Sequence, residues 1–193
     1  MASGPSLSDG QIKAVRAAHS AGQCRVIVTN NTHERAPWAD VLYASDGPWW
    51  EHYRPEFAGQ KWTQSRIAPR FGATQAHGKA LDRISFDPAC IHNGRNTGFQ
   101  ALNLAVLFGA GPVVLLGYDM QATGGQLHWH RDHDSSRGCR LTNPCEARFD
   151  EWRGILNRAA RDLEEHGIRC INATSETALT GFERMTIDEA LAA

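Results

Sequence analysis

Apolar and polar positions alternate so as to divide the 193-residue chain into short apolar runs separated by amphipathic stretches. Ser8-Asp9-Gly10-Gln11 has the Ser-x-x-Gln form of a capping box, and Ile12, Val15 and Ala18 follow at helical spacing. A helix is therefore predicted to end near Gly22. Arg25-Val26-Ile27-Val28-Thr29 reads as a short buried strand ending at the turn formers Asn30 and Asn31. Asp40 to Ala44 is a second strand, ending at Ser45-Asp46-Gly47, and Trp49 and Trp50 open a short helix or turn. From Gly59 to Cys90 the periodicity weakens, with Arg83-Ile84-Ser85-Phe86 as an edge-strand candidate.

The pattern sharpens after Asn93. A polar turn, Asn93-Gly94-Arg95-Asn96-Thr97-Gly98, leads into a helix face marked by Phe99, Leu102, Ala105 and Val106. Gly109-Ala110-Gly111-Pro112 breaks that helix, and Val113-Val114-Leu115-Leu116 follows as a continuous apolar run bounded by Gly117. Such a run suits a parallel strand covered on both faces. Turn, helix and buried strand in this order form half of a βαβ unit. Residues 122–144 are polar, rich in Gly and His and almost without periodicity, which reads as an active-site loop, a lid or binding loop, or else as disorder. Phe149, Trp152, Ile155, Leu156, Ala159 and Leu163 share one face of a long amphipathic helix, which assigns Trp152 to the core. Ile168 to Ile171 is a last strand, ending at Asn172, and the capping box Thr186-Ile187-Asp188-Glu189 begins a terminal helix over 186–193. No repeat or linker interrupts the chain. Residues 1–193 are read as one α/β, Rossmann-like domain, a mostly parallel sheet with helices on both faces.

Composition narrows the partners. The chain is 41% hydrophobic and 21% charged with a net charge of −1, so no overall field points to nucleic acid or to a membrane surface. No stretch reaches the roughly 18 apolar residues of a membrane helix, and the N-terminus has neither the basic start nor the apolar core of a signal peptide. Five cysteines, Cys24, Cys90, Cys139, Cys145 and Cys170, contain no Cys-x-x-Cys pair. They read as reduced thiols of a cytoplasmic protein, although a bridge between Cys139 and Cys145 would close a loop. A homo-oligomer is compatible with all of this.

Candidate chemistry gathers at the predicted strand ends, where ligands bind in parallel sheets. Asn30, Asp46, Asp119 and Asn172 stand there. Gly4, Pro5 and Ser6 precede the first helix, where backbone amides suit a phosphate. Arg95, Asn96, Thr97 and Gly98 offer a guanidinium, amides and a hydroxyl to an anion, although the turn matches neither the Walker loop nor the Gly-x-Gly-x-x-Gly fingerprint. Each of these residues also suits a plain turn or helix cap. Trp38, Trp49 and Trp50 are read mainly as packing residues.

The loop His128-Trp129-His130-Arg131-Asp132-His133-Asp134 carries three histidines. It spells the HxHxDH sequence that metallo-β-lactamase-type hydrolases use for two metals, with His128, His130, Asp132 and His133 as ligands. The downstream ligands of that family are absent, His166 being the one histidine that remains. The alternatives are a general base, since imidazole titrates near neutrality, and a purely structural or solvated loop.

The order of these landmarks carries a resemblance. Ala2 to Leu7, a strand ending in Asn30, Val41-Leu42-Tyr43, Asn96-Thr97-Gly98, Val113 to Met120, Asn172-Ala173-Thr174 and Ala178 to Phe182 follow one another along the chain. In this order the chain resembles Rossmann-like phage and prophage proteins related to the DUF115 domain, which includes archaeal hydroxymethylpterin diphosphokinases and motility-associated glycosyltransferases. It is also similar to bacterial sialyltransferases that use CMP-activated sialic acid. The resemblance implies a nucleotide- or nucleotide-sugar-dependent transferase. It places Gly4, Pro5, Ser6, Asn30, Thr97, Gly98 and, more loosely, Arg95 on the nucleotide, and His133 or His130 as the base. The chain departs from the sialyltransferases in three ways. Only Met1, Ala2 and Ser3 precede the Gly-Pro-Ser turn, the acceptor-side lid is shorter, and the loop holds more histidine than one base requires. Alternatives are a non-catalytic nucleotide- or metabolite-binding accessory protein and a metal-dependent hydrolase, with a divalent metal as the possible cofactor.

Overall fold

Both capping boxes form. In the computed structural model, which describes residues 1–133 and 141–193, α1 (Asp9–Ser20) starts with the Ser8 side chain accepting from the Gln11 amide. At the other end of the chain Thr186 and Glu189 cap α5 (Ile187–Ala192) reciprocally. Between them lie β1 (Ile27–Thr29), β2 (Val41–Tyr43), α2 (Gly47–Tyr53), β3 (Gln60–Thr63), β4 (Thr74–Gln75), β5 (Gly78–Lys79), β6 (Ile91–His92), α3 (Thr97–Leu107), β7 (Val113–Leu115), α4 (Glu146–Glu165), β8 (Cys170–Asn172) and β9 (Glu183–Arg184). Every strand pairing is parallel, in the orders β1-β2-β3-β4, β5-β6 and β7-β8-β9.

The N-terminal segment ties the first and third of these sheets together. The Met1 amino group donates to Ile27 O and the Thr29 amide to Met1 O, while the Ala2 and Gly4 amides donate to Leu116 O and Gly117 O. Met1 to Gly4 thus take the central place that the sequence leaves almost empty of apolar residues. Two glycines allow the approach. A Cβ on Gly4 would lie 2.5 Å from Gly117 O, and one on Gly117, whose φ is +71°, would lie 2.4 Å from Ala2 O.

Alternating side chains serve three core clusters, the smallest of which joins Val41 and Tyr43 to Ala101 and Leu104 of α3. Val113, Leu115 and Cys170 pack with Phe99, Leu102 and Val106 of α3 and Ile155, Leu156, Ala159 and Leu163 of α4. Val28, Leu42 and Ile171, one residue out of phase, pack instead with Ile12 and Val15 of α1, Trp49 and Trp50 of α2 and Ile187 of α5. The fold is therefore α/β and Rossmann-like, with helices on both faces of parallel strands.

Two readings are corrected. Arg83 to Phe86 is not a strand; the buried Asp162 carboxylate of α4 accepts from the Ile84 amide (2.9 Å) and from the Arg83 guanidinium (2.5 Å), which replaces ladder bonds. Trp152 is half-buried rather than core, its indole N–H donating to Arg95 O at 2.8 Å. Cys24, Cys90, Cys145 and Cys170 are free thiols, whereas Cys139 and Asp134 lie outside the described residues. Among the described residues no helix is long and apolar enough to cross a membrane.

Candidate functional site

Chain direction reverses at the N-terminal segment. Strands β1 to β4 step away from it on one side, and after α3 the chain returns to β7 on the other. Such a reversal opens a crevice at the carboxyl ends of the strands. A cavity of about 740 Å³ lies there, lined by Ser3 and Gly4, Asn30, Asp46, Gln64, Gly117 and Asp119 from successive strand ends. That volume falls in the usual range for small-ligand sites.

One wall is suited to an anion. Asn96 caps α3 by accepting from the Phe99 amide at 2.9 Å, so the amides of Thr97 and Gly98 begin the helix at the cavity edge with its positive dipole end. Arg95, Thr97, Gly98 and, from α4, Arg148 and Trp152 complete this wall. Both guanidinium groups grip one carboxylate: Glu151 Oε1 accepts from Arg95 at 2.6 Å and Oε2 from Arg148 at 2.8 Å.

The opposite rim is the histidine loop. His128 and His133 line the cavity. His133 Nδ1 lies 3.0 Å from the Tyr53 hydroxyl, and its backbone is clamped by Asn143, which accepts from the His133 amide at 2.8 Å. The three rings form a triangle with centroids 5.0 to 5.5 Å apart, His128 and His130 being stacked. Burial depresses all three pKa values, and mutual repulsion adds to the effect at His128 and His130: His128 falls to about 4, His130 to about 3, and His133 also lies below 6.5. Imidazoles in this cluster are thus neutral at pH 7. Among the described residues, no group of three or more His, Cys, Asp or Glu is placed to hold a metal ion.

The candidate residues separate into two sets. Gly4, Asn30, Asp46, Arg95, Asn96, Thr97, Gly98, Asp119, His128 and His133 share the cavity. Pro5, Ser6, His130 and Asn172 are not among its lining residues. Ser6 is occupied: its amide and hydroxyl donate to the Asp119 carboxylate at 2.9 and 2.8 Å. A carboxylate already fills the place expected for a phosphate, so an anion there would be repelled. Asn172 spends both amide atoms on Thr174 N and Thr177 Oγ1, inside the protein. His130 sits behind His128, edge-on to Trp129, and Asp132 is exposed. His166 stacks on Phe86 instead.

Gln64, Arg148, Asn143 and Trp152 also line the cavity, although the sequence marks none of them as a site residue and assigns Trp152 to the core. Arg148 and Trp152 stand four residues apart near the start of α4, which puts them on one helical face; that spacing is visible in the sequence once the helix start is known. Gln64 carries no such signal, because it follows a strand, Gln60–Thr63, whose polar pattern does not read as one.

These features define a class: a Rossmann-like α/β protein with one polar cavity at the strand switch, bounded by a cationic helix-end wall and a neutral histidine rim. No family model, curated protein or solved structure matches the chain.

Proposed function

We propose that the protein is a nucleotide- or nucleotide-sugar-dependent transferase, of the phage and prophage type its motif order resembles, with His133 as general base. The observation that supports this reading most is the placement of the α3 N-terminus, Arg95 and Arg148 in one cavity with His133. Helix-end amides and guanidinium groups suit phosphate oxygens. On binding, the phosphates replace Glu151 as the partner of the two arginines, and the half-buried Trp152 offers a ring face beside them.

His133 then takes the acceptor's proton. In the tautomer with hydrogen on Nδ1, the Tyr53 hydroxyl accepts that hydrogen and Nε2 keeps its lone pair for the acceptor O–H. The lowered pKa keeps the ring in this neutral form throughout the neutral range. Turnover is expected to decline in acid, as the base becomes protonated, at a lower pH than an ordinary imidazole would give.

A thermal-shift panel of nucleotides and nucleotide sugars tests the binding half: a ligand at 100 times its Kd stabilises by about 2.7 kcal/mol. His133→Ala is expected to abolish transfer while leaving that shift in place. Undiminished transfer by the variant would remove His133 from the mechanism. A nucleotide sugar that binds yet is transferred to no acceptor favours the non-catalytic binding protein instead.

A further inference from the structure

The strand ends differ in how their polar side chains are spent. Asp119 bonds to Ser6 and Thr123, and Asn172 to Thr174 and Thr177. Buried amides elsewhere, such as Gln11, Asn31, Gln100 and Asn103, are likewise hydrogen bonded. Three adjacent strands depart from this. Asn30 follows β1, Asp46 follows β2 and Gln64 follows β3, and all three line the cavity.

Among the described residues, none of the three side chains is held by a hydrogen bond or an ion pair. Asn30 Oδ1 and Gln64 Nε2 are buried without a partner, the two such atoms among the described residues. Asp46 occupies the N-cap position of α2 but makes no capping bond and no ion pair. Native proteins pair nearly all buried polar atoms, so two unpaired amides in one cavity are conspicuous. Neither amide loses an intramolecular bond by turning over, so a ligand sets their orientation.

The character of this end is also distinct. The guanidinium groups that line the cavity, Arg95 and Arg148, belong to the α3–α4 wall. At the β1–β3 end the charged group is a carboxylate, which repels phosphates and acids. Asp46 is solvent-exposed at the cavity, yet the protein around it raises its carboxyl above the ordinary range by partial desolvation. Trp49 is buried to 1% exposure and presents little ring face for stacking. A carboxylate flanked by free amides, without a stacking surface, matches neutral hydroxyl groups, each of which both donates and accepts.

We infer that Asn30, Asp46 and Gln64 form the subsite for an uncharged, hydroxyl-rich glycosyl group, with the phosphates lying toward α3. This inference rests on the transferase reading and adds the donor class and its direction in the cavity. Gly78 supports the placement of Gln64: a Cβ there would lie 2.6 Å from Gln64 Cδ, so the glycine makes room for the amide.

The test compares UDP, ADP and GDP with UDP-glucose, ADP-glucose and GDP-mannose by calorimetric titration. For the preferred base, the hexose conjugate is expected to bind at least about tenfold tighter than the parent nucleotide, about what one well-made hydrogen bond contributes. Gln64→Ala and Asp46→Asn should each erase that increment and leave parent affinity unchanged. Gly78→Ala, which keeps all three side chains but displaces Gln64, should do the same and guards against a folding artefact. Loss of parent-nucleotide affinity in these variants, or an increment that survives them, overturns the subsite. If no nucleotide binds, the transferase reading fails separately. Saturation-transfer NMR with free glucose and mannose then decides the subsite: contacts abolished by Gln64→Ala support it, and absent or unaltered contacts overturn it.

Discussion

Asp119 is buried to 1% exposure and accepts three hydrogen bonds, from the Ser6 amide, the Ser6 hydroxyl and the Thr123 hydroxyl. Its place after β7 makes it the clasp between the central N-terminal segment and the far half of the molecule. Burial raises its pKa above the ordinary value although these bonds pull the other way. Asp119→Ala is expected to cost about 2–3 kcal/mol, because the Ser6 amide loses its acceptor inside the protein. Asp119→Asn should cost less, since one acceptor oxygen remains. Urea denaturation midpoints of the two variants check the order. The same residue shows what single positions disclose: a polar residue at a strand end is legible as such, but whether it waits for a ligand or binds a neighbour is not. Asn30 and Asp46 stand unpartnered, whereas Ser6, Asp119 and Asn172 satisfy one another or nearby hydroxyls, and the difference depends on residues about 110 positions away.

Elements with strong local chemistry are legible in the chain. The two capping boxes, the Asn96 cap and the unbroken Val113 to Leu116 run each form where their residues demand. Residues 59–92 do not, for a physical reason. Strands β3 to β6 are only two to four residues long, and β4 and β5 are exposed, so neither alternation nor a buried run develops. The apolar look of Ile84 and Phe86 comes instead from a segment pinned to α4. Asp162, buried to 3% exposure, supplies both of its oxygens to that segment. Asp162→Ala is expected to lower stability by about 2–3 kcal/mol, since the Ile84 amide stays buried without an acceptor. Hydrogen exchange resolves the effect: the Ile84 amide should lose protection ahead of the strand amides of β7 and β8. Equal loss across all of them would show that Asp162 supports the whole core and not this segment.

At the scale of the molecule, the histidine loop joins parts that the sheet alone leaves apart. Trp129 donates its amide to Ser3 O at 3.0 Å, His128 Nδ1 meets Ser3 Oγ at 3.2 Å, and His133 reaches Tyr53 on α2. The Arg35 guanidinium lies 5.2 Å from the Trp129 ring, which ties the loop to the turn after β1. This rim is held together by neutral imidazoles, so acid acts against it. An unfolded histidine takes its proton near pH 6.5, whereas His128 and His130 in the folded chain resist until about 4 and about 3. The unfolded state therefore binds more protons across that window. Stability is full above pH 6.5 and is lost as pH falls toward the folded values. Asp132 beside the cluster opposes the shift at His128 and His133 without cancelling it. Asp46 and Asp119 have raised pKa values and act with the opposite sign. Urea midpoints of the wild type should thus stay level from pH 7.5 to about 6.5 and fall from there to pH 5. A His128→Gln/His130→Gln variant should show a flatter profile, with its largest change in midpoint relative to wild type at the acid end. Ligand that fills the cavity against His128 and His133 should shift the wild-type profile upward at every pH, which links the stability of this rim to occupation of the site it borders.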